Sequence, residues 1–204
     1  QSGPSVLFLS LAVFCLTRTS RSAWWWAACG ASTGCAVLCR ESAVLFAAIV
    51  AAHAMLRGWK HAGSRRGLTS LDTYRPLLVY CLAALPFAIA LGYYNWYFLG
   101  SPFVLAKTQA AHFFAEAKLG NPNLWQTPFL VGFAGLLCSP SRGVLVYSPL
   151  LIFALWGAVV VWKKKRFRDL RPLTIVALLF IVMYAKYFDW HSGWSFGSRY
   201  MTDV

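Results

Sequence analysis

Long apolar runs, separated by short polar or basic segments, make up most of this chain. A helix rises about 1.5 Å per residue, so roughly 20 apolar residues cross a bilayer core of about 30 Å. Apolar runs occupy residues 6–17, 23–56, 76–98, 144–162 and 173–188. The pattern predicts an all-α protein, a polytopic transmembrane helix bundle.

The run over residues 23–56 is too long for one span and carries Arg40 and Glu41 near its middle. It therefore predicts two short helices, residues 23–39 and 42–56. Gly30 and Gly34 form a small-xxx-small pattern on the first helix, which is typical of close helix contact.

Residues 129–138 form an apolar run that is too short to span, and a polar segment follows it. We interpret it as a re-entrant or interfacial helix, because counting it as a span would put its flanking loops on opposite faces. Residues 6–17 are interpreted as the remnant of a first span. The prediction is about six spans in a single domain over residues 1–204, a fragment of a longer membrane module.

The basic residues set the predicted orientation. The net charge is +13, yet the cations cluster in short segments between apolar runs, which argues against nucleic acid as a partner. By the positive-inside rule three segments are cytoplasmic: Arg18 and Arg21; Arg57, Lys60, Arg65, Arg66 and Arg75; and Lys163, Lys164, Lys165, Arg166, Arg168 and Arg171. The remaining polar segments then meet at the extracytoplasmic face: residues 40–41, 100–127, 139–143 and 186–202.

Motifs of soluble enzymes are absent from the sequence. It holds no Gly-x-Ser-x-Gly, Walker loop, His-Glu-x-x-His or dinucleotide fingerprint. The six cysteines lie in or beside apolar runs, so we interpret them as packing residues and predict no metal site from them.

Arg142 and Arg199 lie outside the basic segments, among glycine and serine residues that let a ligand approach closely. Guanidinium groups bind phosphate through paired hydrogen bonds, so the pattern predicts a phosphate or pyrophosphate ligand at the outer surface. The alternative is that these arginines extend to lipid headgroups or pair with a nearby acid.

Asp189 and His191 stand beside Trp190 and Trp194, a combination that favours sugar binding through stacking and hydrogen bonds. The tryptophans also fit an interfacial belt. Asp189 needs a partner near a membrane, and Lys186 or Arg199 is a candidate.

Arg40 and Glu41 are interpreted as a pair that neutralises itself at the end of a short helix. Direct contact with a substrate is the alternative.

Three stretches together resemble a known family. They are Leu136-Leu-Cys-Ser-Pro-Ser-Arg-Gly-Val-Leu-Val-Tyr-Ser-Pro-Leu-Leu151, Asp189-Trp-His-Ser-Gly-Trp-Ser-Phe-Gly-Ser-Arg-Tyr200 with Asp203, and Gly34-Cys-Ala-Val-Leu-Cys-Arg-Glu-Ser-Ala-Val-Leu45. Their order, spacing and predicted side resemble bacterial multi-pass GT-C glycosyltransferases of the family 39 kind, which are related to protein O-mannosyltransferases and to lipid A aminoarabinose transferase. The resemblance covers most of the chain.

The resemblance implies an enzyme that transfers a sugar from a polyprenyl-phosphate donor to a protein, lipid or glycan acceptor. The reaction takes place on the outer side of the bacterial cytoplasmic membrane. In that family an acidic residue of the first external loop is the general base. That loop would precede Gln1, so this chain alone is expected to be inactive.

For the donor site, the resemblance implies Arg142 and Arg199 toward the lipid phosphate, with Ser141 in support. It implies Asp189, His191 and Tyr200 toward the sugar or acceptor. The sequence departs from the usual pattern at His191-Ser192 and at Ser198, which leaves the identity of the sugar open. It also leaves open whether a divalent metal is required.

Two other functions fit the pattern. A transporter or flippase for a lipid-linked or anionic substrate would also use intramembrane charges, although the isolated charges here collect at one face. A purely structural membrane subunit would give Arg142, Asp189 and Arg199 no role.

Overall fold

The computed structural model describes residues 2–19, 22–62, 71–104, 116, 123–140, 143–149 and 151–188. All regular structure in this part of the chain is helical, with eight α-helices and two 3-10 segments. The all-α prediction is therefore confirmed. The chain divides into two compact units, Gln1–Phe103 and Val104–Val204, and each is described by itself. The single-domain interpretation stays a prediction.

The first unit contains four helices: α1 (Ser2–Arg18), α2 (Trp24–Cys39), α3 (Val44–Ala62) and α4 (Leu71–Leu99), with a 3-10 turn at Glu41–Ala43 between α2 and α3. The predicted break is confirmed. Arg40 leaves the helix at φ −153°, while its backbone N–H donates to the Ala36 carbonyl and its own carbonyl accepts from the Ala43 N–H. The Arg40 backbone thus ends one helix and opens the next turn.

Glycines bring α2 against α4, as the small-residue pattern predicted. A Cβ at Gly30 would collide with the Tyr80 carbonyl oxygen, and one at Gly34 would meet the Phe87 ring. Gly30 contacts Tyr80, and Gly34, further along α2, contacts Phe87, further along α4. The two helices therefore run in the same direction. Two hydrogen bonds tie the remaining helices to this pair: Cys29 Sγ donates to the Ala12 carbonyl of α1, and Tyr80 Oη donates to the Ala47 carbonyl of α3.

One end of the first unit collects basic residues. Arg57 Nη1, on the last turns of α3, donates to Thr19 Oγ1 in the turn after α1, at 2.9 Å. Gly58 lies against Thr73 at the start of α4. The first two predicted cytoplasmic segments therefore border the same end of this unit, and the break between α2 and α3 lies at the other end.

The second unit contains α5 (Phe129–Cys138), α6 (Val144–Tyr147), α7 (Leu151–Lys163) and α8 (Arg171–Lys186), with a 3-10 segment at Lys165–Leu170. The short helix predicted at residues 129–138 is confirmed. Residues 144–162, which the sequence pattern predicts as one full span, do not form one continuous helix, because the helix is interrupted between α6 and α7. Pro149 lacks a backbone N–H and disfavours the helical conformation at Ser148, which adopts φ −137° and ψ 69°.

Two helical stretches among the described residues are long and apolar enough to cross a membrane, Glu41–Trp59 and Thr73–Leu99. Only 6% of the most apolar window of Thr73–Leu99 is buried. The core helix of a water-soluble protein is mostly buried, so this helix has an unusually exposed apolar surface. The count of about six spans stays a prediction.

Candidate functional site

The predicted site residues divide into two groups. Eight lie outside the described residues: Ser141, Arg142, Asp189, Trp190, His191, Trp194, Arg199 and Tyr200. Three are described: Arg40, Glu41 and Lys186. The structure therefore describes the backbone next to these residues. Ser139 and Gly143 flank Ser141 and Arg142, and Phe188 precedes Asp189.

The end of the predicted external loop is joined to the end of α8. The Thr127 N–H donates to the Lys186 carbonyl at 3.4 Å, and Thr127 Oγ1 donates to the Tyr187 carbonyl at 2.9 Å. In return the Phe188 N–H donates to the Leu124 carbonyl at 2.9 Å. We call residues 123–128 together with 186–188 the junction. It fixes the three residues that lead directly into Asp189.

Local sequence explains why the junction forms. Asn123 Oδ1 accepts from the Trp125 N–H at 3.0 Å, which is a turn that asparagine favours. Pro128 then directs the chain into α5, since a proline fits the start of a helix. Tyr187 is extended at ψ 137°, so α8 ends before it. The Lys186 and Tyr187 carbonyls then lack donors within the helix, and Thr127 supplies them.

An aromatic cluster covers the junction. Tyr187 meets Trp125 edge-on, with ring centroids 6.1 Å apart, and it contacts Phe188 at 5.0 Å and Tyr184 at 6.4 Å. Tyr184 is buried, whereas Trp125 is 48% exposed. The sequence interpretation missed Trp125 and Tyr187. For Trp125 the local signal was an aromatic residue shortly after Asn121-Pro-Asn123, a sequence that favours a turn.

Close backbone contacts hold the flanking elements. A Cβ at Gly132 would collide with the Ala185 carbonyl oxygen, so α5 packs directly on the last turn of α8. In the next turn the Gly143 N–H donates to the Ser139 carbonyl at 2.6 Å, and Gly143 is buried. A direct hydrogen bond thereby joins Ser139 and Gly143, which lie on either side of Ser141 and Arg142.

The described candidate residues have different surroundings. Lys186 is exposed at the end of α8, where its carbonyl belongs to the junction. Arg40 and Glu41 are partly exposed and belong to the first unit, so their position on the same face as residues 186–202 stays a prediction. In the described part of the chain, no group of three or more His, Cys, Asp or Glu side chains is arranged to hold a metal ion.

Replacing Thr127 with valine tests the junction. Valine keeps the shape of the threonine side chain but leaves the Tyr187 carbonyl without the Oγ1 donor. We therefore expect the free energy of unfolding to fall by about 1 kcal/mol and the Phe188 amide hydrogen to exchange faster. Hydrogen exchange followed by mass spectrometry measures this. Thr17→Val is the matched control, because Thr17 Oγ1 donates only within its own helix, to Phe14, at an exposed position. Equal exchange in wild type and Thr127→Val would contradict the role of this bond.

No protein-family model, curated protein sequence or solved structure matches this chain. The case for a function therefore rests on its residues and their geometry.

Proposed function

We propose that the chain is part of an integral membrane glycosyltransferase that moves a sugar from a polyprenyl-phosphate donor to an acceptor at the extracytoplasmic face. The observation that carries the proposal is the junction. It joins the end of the 100–127 loop to the residues before Asp189, two segments that the charge pattern assigns to the same face. The residues expected to bind phosphate and sugar belong to the segments that flank it.

Membrane embedding is part of the proposal, with about six helices in the bacterial cytoplasmic membrane. The exposed surface of α4 supports the proposal that the protein is embedded in a membrane. Arg75 and Tyr93 lie 18 residues apart on this helix, about 27 Å at about 1.5 Å per residue, close to the hydrocarbon thickness of about 30 Å. Beyond that distance Tyr93, Trp96 and Tyr97 are exposed, as in an interfacial aromatic belt.

The chemistry assigned to the arginines follows from the donor. Arg142 and Arg199 would bind the lipid phosphate. As the bond between sugar C1 and the phosphate oxygen breaks, its electron pair stays on that oxygen, and the guanidinium groups stabilise the charge. The acceptor oxygen forms the new bond to C1, and its proton passes to a general base.

The sugar would lie against the terminal motif, with Asp189 and His191 accepting hydroxyl hydrogen bonds and Trp190 or Trp194 stacking. Trp125 would extend this surface. Its exposed ring contacts Tyr187, two residues before Asp189, so it is positioned to contribute a further apolar face to the sugar or acceptor.

The direct test is transfer of radiolabelled sugar from polyprenyl phosphate, in membranes that express the protein from its natural gene. Charge-assisted hydrogen bonds are worth about 1.5–3 kcal/mol, so Arg142→Ala and Arg199→Ala should each lower transfer at least about tenfold. Arg75→Ala removes an exposed arginine from the predicted cytoplasmic end and should leave transfer unchanged.

A donor that is never consumed, or two arginine variants that match wild type, would overturn the proposal. Uptake or flipping of the same lipid-linked sugar would then support the alternative function, a transporter or flippase.

Replacing Trp125 with alanine should raise the KM for the donor or acceptor about tenfold, the effect of losing about 1.4 kcal/mol of aromatic contact. Trp125→Phe should restore most of it. Trp156, 71% exposed on α7, provides the control Trp156→Ala. An unchanged KM in Trp125→Ala would remove Trp125 from the substrate surface.

A further inference from the structure

The connection between α7 and α8 is an ordered hairpin. The Lys164 N–H donates to the Val160 carbonyl at 2.9 Å as α7 ends, and the Phe167 N–H donates to the Lys164 carbonyl at 3.3 Å. The chain then passes through a 3-10 segment directly into α8. We call residues 162–171 the basic hairpin.

Arg171 locks the basic hairpin. Its Nη2 donates to the Trp162 carbonyl at 2.9 Å, and its Nε donates to the Val161 carbonyl at 3.5 Å. The guanidinium also lies 5.3 Å from the Trp162 ring centroid, while Trp162 Nε1 donates to Thr174 Oγ1 at 2.9 Å. Arg171 thus satisfies the carbonyl end of α7 from the first turn of α8.

The other cations of the hairpin point to solvent. Five are exposed: Lys163, Lys164, Lys165, Arg166 and Arg168. The segment carries a single acid, Asp169, and the Arg166 guanidinium lies 5.9 Å from the Phe167 ring centroid. Like charges held this close repel one another, so a dense anionic surface would stabilise the arrangement.

We propose that the basic hairpin binds the headgroup phosphates of anionic phospholipids. The hairpin directly follows α7, whose exposed apolar side chains include Phe153, Leu155 and Trp156. Such an apolar surface suits lipid tails, and clustered cations beside a membrane helix attract anionic headgroups. Trp162 is half exposed between the two regions, where an interfacial residue would lie. The inference rests on the membrane embedding proposed above but not on sugar transfer.

The test compares lipids retained by the purified full chain in detergent, counted by native mass spectrometry with phosphatidylglycerol or phosphatidylcholine added. The wild-type protein should retain more phosphatidylglycerol than phosphatidylcholine. Lys163→Gln, Lys164→Gln, Lys165→Gln and Arg166→Gln combined should weaken that retention by up to several hundredfold, since each such cation contributes about fivefold and the four factors multiply.

The matched control removes four cations from another predicted cytoplasmic segment: Lys60→Gln, Arg65→Gln, Arg66→Gln and Arg75→Gln. Because this segment is also basic, its phosphatidylglycerol retention should fall, but by less than in the hairpin variant, whose cations are held together by the Arg171 hydrogen bonds. Arg171→Lys keeps the charge but cannot reach both carbonyls in the same planar geometry, so it should give an intermediate loss that charge alone would not produce.

Three results would overturn the proposal. They are equal retention of the two lipids, equal losses in both quadruple variants, and displacement of phosphatidylglycerol by a DNA duplex at matched phosphate concentration. Failure of the chain to insert into membranes would reject both this proposal and the glycosyltransferase. Loss of transfer with lipid preference intact would reject the enzyme alone.

Discussion

Replacing Gly132 with alanine should force α5 away from α8 and abolish the proposed sugar transfer. The added Cβ would collide with the Ala185 carbonyl oxygen, and neither backbone can yield without moving its helix. Overpacking of this kind costs about 1–3 kcal/mol. Because α5 begins directly after residues 123–128, its displacement would also pull Thr127 from the end of α8. Thermal unfolding in detergent and the transfer assay measure the two effects.

Gly157→Ala provides the control for this change. Gly157 lies on α7 in the same unit, and nothing stands within 4 Å of an added Cβ. Alanine also favours helix over glycine by up to about 1 kcal/mol, so stability should stay level or rise. If Gly132→Ala behaves like Gly157→Ala, then α5 and α8 do not pack as closely as the structure has them.

Local sequence signals were enough to predict several elements. The charges at Arg40 and Glu41 marked the break between α2 and α3, and the pattern of Gly30 and Gly34 marked a close helix contact. Both features depend on a few neighbouring residues, because charge and side-chain size act on the helix that carries them.

Proline was an ambiguous signal. Pro76 and Pro86 lie inside α4, which continues through both, whereas Pro149 coincides with the break between α6 and α7. Proline removes one hydrogen bond in every case, and tertiary contacts decide whether the helix survives that loss. Residues 144–162 are mostly apolar, so the hydrophobic pattern did not reveal the break, although Ser148-Pro149 lies within it.

The junction could not be predicted in detail because it joins distant parts of the chain. Thr127 and Tyr187 are 60 residues apart, and hydrophobic periodicity reports only on neighbours within an element. Charge patterning did assign both segments to one face. It could not identify Trp125 as the exposed aromatic residue of the junction, since that depends on the packing of Tyr187 and Tyr184.

Gly30→Ala should destabilise the first unit by about 1–3 kcal/mol. The new Cβ would collide with the Tyr80 carbonyl oxygen and push α4 from α2. Tyr80 Oη also donates to the Ala47 carbonyl, so the displacement would weaken the contact of α4 with α3 as well. The expected result is a lower thermal midpoint and a smaller folded fraction after extraction into detergent.

Gly92→Ala separates this steric effect from a general effect of alanine. Gly92 lies on α4, where an added Cβ would stand 3.8 Å from the Pro102 Cβ, an ordinary van der Waals contact. Its thermal midpoint should match or exceed that of wild type. A midpoint for Gly30→Ala as high as that of Gly92→Ala would mean that α2 and α4 are not in backbone contact. The small-residue pattern at Gly30 and Gly34 would then need another explanation.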